Sequence, residues 1–76
     1  MNIDEFIQHF AEQFEDTDAS TFNAKVIFKD LDEWSSLMAL NIIAMVDEEY
    51  DVTLKGADIE NASTIEDLFN TVLEKK

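Results

Sequence analysis

The run Trp34-Ser35-Ser36-Leu37-Met38-Ala39-Leu40 sets two hydroxyls at the junction between a loop and an apolar helix. Helix capping is enough to explain Ser35, because an N-cap hydroxyl accepts a backbone N–H of the first turn. Ser36 invites a second reading. A serine there is exposed, conformationally anchored, and close to both an apolar and an acidic face. Those properties suit the attachment of a prosthetic arm.

The other residues capable of chemistry assemble into nothing comparable. His9 is the only histidine and falls on the polar side of the first helix, where it reads as a solvated surface residue. Without cysteine, and with one His, neither a Cys/His nor a Ser/His nucleophile can be built. One glycine, Gly56, excludes a phosphate-cradling loop. Asp30-Leu31-Asp32 opens like a calcium loop, but Ser35 stands where that loop needs Gly and Asn41 where it needs Glu. Asp47-Glu48-Glu49 reads as a solvated charge run, and no carboxylate is singled out by a pocket signal. The expectation is a protein that is not an enzyme.

Composition narrows the partners. Five Lys against eighteen Asp and Glu give a net charge of −13, which repels nucleic acid and anionic membranes and favours basic protein surfaces. Apolar residues make up 46% of the chain, six of them Phe, too many for a disordered acidic tail. The 76 residues fit a single domain, 1–76, expected to be monomeric and to gain stability with salt. The amino terminus lacks the pattern of a signal peptide. The longest apolar stretch, Leu37 to Val46, is interrupted by Asn41 and falls far below the roughly 20 residues of a membrane span. A cytoplasmic protein is the default.

The elements that must position Ser36 follow from periodicity. Ile3, Phe6, Ile7, Phe10, Ala11 and Phe14 form one face of a first helix, opened by Asn2 and Glu5 as an approximate capping box. Residues 16–34 hold no period and read as a long loop with one short turn, pinned by Phe22, Phe28 and Leu31. A second helix is expected over Ser36–Tyr50, with Leu37, Leu40, Ile43 and Tyr50 on its core face. Its apolar residues spread almost all round, so it is either enclosed or presents apolar surface to a partner. Three carboxylates in its last turn oppose the helix dipole. Ala57 to Asn61 can form one turn. A last helix opens at the capping box Ser63-Thr64-Ile65-Glu66 and buries Ile65, Leu68, Phe69, Val72 and Leu73. The expected fold is all-α, a small four-helix bundle of three main helices plus one short helix, with a long first loop.

With this order of elements the chain resembles the acyl carrier protein family over essentially its whole length. The residues that carry the likeness are Phe28-Lys29-Asp30-Leu31, Ser36-Leu37, Asp47-Glu48-Glu49-Tyr50 and Ala62-Ser63-Thr64-Ile65-Glu66-Asp67-Leu68. In that family the tripeptide Asp-Ser-Leu holds the serine that receives 4′-phosphopantetheine. The resemblance maps that serine onto Ser36, fourteen residues before Tyr50, where the family usually has a bulky aromatic. Four positions depart from the pattern. Ser35 replaces the Asp that helps dock the modifying transferase, Leu54-Lys55 stand where the family often has Ile-Pro, and Asn41 replaces the usual helix-two glutamate.

The resemblance implies a carrier of acyl groups. A 4′-phosphopantetheine arm from coenzyme A, installed on Ser36 by a phosphopantetheinyl transferase, would supply the thiol that the chain lacks. Partner enzymes of fatty acid or related acyl-chain synthesis, with basic surfaces, would be steered by Asp47 and Glu48, with Asp30, Asp32 and Glu33 as further candidates. Leu37, Met38 and Ala44 are the candidates for apolar contact with those partners. Leu40, Ile43, Val46, Ile59 and Ile65 are candidate lining for a shelter for the acyl chain, although ordinary core packing is the favoured reading of them. A specialised carrier of another acyl or aminoacyl group, and an unmodified acidic interaction module, are the alternatives. A small metal-dependent enzyme is the least favoured reading.

Overall fold

The computed structural model describes residues 2–76. Four helices carry the fold: α1 (Ile3–Ala11), α2 (Ser36–Tyr50), α3 (Gly56–Asn61) and α4 (Ile65–Lys75). Among the described residues there is no β-strand. α1 packs on both α2 and α4, and α3 packs on α4.

The core is built largely from aromatic rings. Phe6, Phe10 and Phe28 are fully buried, and Phe14, Phe22, Phe69 and Tyr50 lie close around them. Phe6 stands 5.4 Å from Phe69 and 5.7 Å from Tyr50, centroid to centroid, which ties α1 to α4 and α2. Phe10 meets Phe28 edge-on at 5.5 Å, and Phe28 meets Trp34 edge-on at 4.9 Å. Such pairs add to the roughly 1.5–3 kcal/mol that burying each side chain contributes. They also bind the first loop to the core. That loop contains two 3-10 turns, Ala19–Thr21 and Phe28–Asp30, rather than one.

Polar contacts complete the anchoring. Glu33 accepts hydrogen bonds from the Glu15 and Asp16 N–H groups, at 3.2 and 2.9 Å, and from the Thr17 hydroxyl. The carbonyls of Ala24 and Val26 accept from Glu66 and Ile65 N–H, so the loop satisfies orphan donors at the start of α4. Glu33 is therefore part of the loop's framework, not a free steering charge.

Several boundaries and faces differ from the pattern-based expectation. The buried stripe of α2 is Ile42, Met45, Val46 and Tyr50, whereas Leu37 and Leu40 are 68% and 61% exposed. The reason is that apolar residues surround this helix, so periodicity alone offers two stripes and tertiary packing chooses between them. Leu73 is likewise 45% exposed at the end of α4, while Ile65, Leu68, Phe69 and Val72 are buried. The α4 capping box starts one residue later than expected: Thr64 Oγ1 accepts from Asp67 N–H, and Asp67 Oδ2 accepts from Thr64 N–H. α1 ends at Ala11, so Phe14 reaches the core from the following turn. α3 begins at Gly56, with Asp58 Oδ2 accepting the Lys55 N–H at 2.8 Å.

Candidate functional site

The two adjacent serines have separate surroundings. Ser35 is the N-cap of α2, in extended conformation, and its Oγ accepts the Met38 N–H at 3.1 Å. Its carbonyl accepts the Ala39 N–H at 3.0 Å. Ser36 is the first helical residue and is exposed, and among the described residues its hydroxyl makes no hydrogen bond. The N–H groups of Ser36 and Leu37 have no acceptor within the helix, as expected for a first turn. An anion joined to Ser36 Oγ would sit beside these donors, at the positive end of a 15-residue helix dipole.

Beside Ser36 lies an open-sided cleft of about 490 Å³ between the second 3-10 turn, α2 and α3. Trp34, Leu40, Ile43 and Ile59 supply its apolar wall, and Lys29 and Glu60 its charges. Val46 and Ile65, expected to line a shelter with Leu40, Ile43 and Ile59, are instead fully buried and do not border this cleft. Trp34 and Lys29 were not singled out as site residues by sequence reasoning. The signal in each case was slight, an aromatic next to the serines and one of only five cations.

The candidates for partner contact fall on the outside of α2. Leu37, Leu40 and Ala44 are exposed at three- and four-residue spacing, one stripe of the helix, while Met38 is half-buried against the core. Asp47 and Glu48 are exposed, and neither forms an ion pair among the described residues. Glu49 instead points towards α1, with Oε1 3.8 Å from His9 Nε2. Asp30 and Asp32 are exposed, while Glu33 is committed to the loop.

His9 is half-buried, not freely solvated, and lies among Glu5, Glu12 and Glu49 with its ring edge-on to Tyr50 at 5.9 Å. The Tyr50 hydroxyl is buried and has no hydrogen-bond partner among the described residues. Burial, then the nearby Glu5 and Glu49 carboxylates, push its pKa above the ordinary tyrosine value. This cluster ties α1 to the end of α2. It shares no residue with the cleft at Ser36.

Among the described residues, no group of three His, Asp or Glu side chains is arranged to hold a metal ion, and no helix is long and apolar enough to cross a membrane. A family model described as a phosphopantetheine attachment site matches residues 4–72, nearly the whole chain. No curated protein and no solved structure matches.

Proposed function

The chain belongs to the phosphopantetheine attachment site family, and from that premise we propose that Ser36 is the residue that bears the arm. Proteins of this kind are carriers and not themselves catalysts. Bound 4′-phosphopantetheine supplies a terminal thiol that holds acyl groups as thioesters. What supports Ser36 is the division of labour between neighbours: the Ser35 hydroxyl is occupied in capping α2, and the Ser36 hydroxyl is exposed and unengaged.

Loading would form the Ser36 Oγ–P bond as the pyrophosphate P–O bond of coenzyme A breaks. The nucleotide leaves, and the hydroxyl proton passes to the transferase. The protein's own contribution is positional. The cap at Ser35 fixes the first turn of α2, so that Ser36 is presented at a defined point. Leu37, Leu40 and Ala44 offer an apolar strip to a partner, with Met38 at its edge. Asp47 and Glu48, with Asp30 and Asp32, attract basic partner surfaces over a range set by ionic strength.

The pathway we propose is fatty acid synthesis or a related acyl-chain synthesis. Ser35 and Asn41 support a second reading, a carrier for another acyl or aminoacyl group, because they alter the surface on either side of Ser36. Intact-mass analysis after incubation with coenzyme A and a broad-specificity phosphopantetheinyl transferase tests the site. One adduct on the wild type and none on Ser36→Ala is expected. A persistent adduct on Ser36→Ala would refute it.

A further inference from the structure

We propose that Lys29 is a positioning residue for the arm, its ammonium drawing the phosphodiester on Ser36 against the amino terminus of α2. The inference rests on attachment at Ser36. Lys29 and Ser36 border the same cleft, and among the described residues Lys29 is the only cationic residue that does so. Its Nζ donates to the Glu60 carbonyl at 2.7 Å and lies 5.8 Å from the centroid of the buried Phe28 ring. The long side chain is therefore held at the cleft instead of sampling solvent.

The charge of Lys29 is not spent. An ammonium has three donors, and one meets a neutral carbonyl. Lys25 pairs with Glu66 at 2.6 Å and Lys75 with Asp58 at 3.3 Å, but Lys29 forms no ion pair among the described residues. Glu60 also borders the cleft, and it is its main-chain oxygen that holds Lys29. In a protein of net charge −13, a phosphodiester anion meets repulsion over most of the surface. In the cleft that Ser36 borders, two sources of opposite sign are available to it, the free N–H groups of the first turn and a tethered ammonium with two spare donors.

A seated phosphodiester shortens the effective reach of the arm and sets the direction in which it leaves the protein. It also places the arm's first atoms along the wall formed by Trp34, Leu40 and Ile59.

The test is ³¹P NMR of the loaded protein at low and high salt, comparing wild type with Lys29→Gln and Lys29→Arg. Glutamine keeps a donor for the Glu60 carbonyl and removes the charge, and arginine keeps both. Thermal midpoints of all three are measured alongside. The expected result is a diester resonance that shifts and relaxes more slowly in Lys29→Gln. This corresponds to a seated population lower by about two- to five-fold, the weight of one exposed ion pair. Lys29→Arg should match the wild type, and high salt should bring all three together. Identical low-salt spectra for wild type and Lys29→Gln would overturn the role of Lys29 while leaving attachment at Ser36 intact. A wild-type protein that takes up no phosphopantetheine at Ser36 would remove both.

Discussion

Replacing Ser35 by Ala and Ser36 by Ala, separately, should produce opposite phenotypes although the residues are adjacent. Ser35→Ala removes the acceptor for the Met38 N–H at 3.1 Å and leaves that donor to water. Loss of an N-cap hydroxyl costs about 0.5–2 kcal/mol, and the exposure of this site favours the lower half of that range. For a domain of this size each kcal/mol moves the thermal midpoint by roughly 4–8 °C, so a drop of about 2–10 °C is expected. Ser36→Ala deletes an exposed hydroxyl that has no hydrogen bond among the described residues, and should change stability by no more than about 0.5 kcal/mol. Differential scanning calorimetry measures the midpoints, and intact mass after transferase treatment measures loading. Ser35→Ala should load and melt early; Ser36→Ala should melt normally and stay bare. If Ser36→Ala is the less stable variant, or Ser35→Ala melts with the wild type, the assignment of cap and attachment point is wrong.

Three further outcomes are expected. Asp51 ends α2 at φ 56, a left-handed conformation that costs a side chain energy, and adds an anion at the negative end of the dipole. Asp51→Gly should therefore raise stability by about 0.5 kcal/mol net of glycine's entropy, and an unchanged or lower denaturation midpoint would refute this. Ile42→Ala, at a fully buried position, should cost about 2–5 kcal/mol, whereas Leu40→Gln should cost under about 0.5; the reverse order would put the other stripe of α2 in the core. Glu33 is held below the ordinary carboxylate range, first by the Thr17 hydroxyl and then by the Asp16 and Glu15 N–H groups, against a partial desolvation. A lowered folded pKa stabilises above the ordinary value and is lost as pH falls through the folded one. Glu33→Gln should thus be less stable than wild type at pH 7 and converge with it on acidification, as urea midpoints across pH would reveal.

The legibility of the fold varied with the pattern of each helix. In α1, polar and apolar residues separate cleanly, and Phe6 and Phe10 are buried as the pattern requires. In α2 they do not separate, and the two competing stripes could be told apart only once α1 and the loop were in place. The bounds Ser36–Tyr50 were nevertheless legible, because a capping serine marks one end and Tyr50 closes the apolar pattern at the other. The loop was the hardest part. Its order depends on contacts distant in sequence, such as Glu33 with Thr17 and Lys29 with Glu60, and no local period encodes them. Ser36 could be named as the candidate beforehand, and Leu40, Ile43 and Ile59 as candidate lining, whereas Lys29 and Trp34 could not, because they join that cleft only through the fold.

Attachment at Ser36 is most directly tested by locating the modification itself. Cleavage after lysine releases residues 30–55 as one peptide that contains both Ser35 and Ser36. Fragmentation of this peptide from the loaded protein separates the two hydroxyls. Fragment ions that carry phosphopantetheine on Ser36, with Ser35 unmodified, are the expected result. An adduct on Ser35, or a peptide that remains bare after exhaustive treatment, would contradict it.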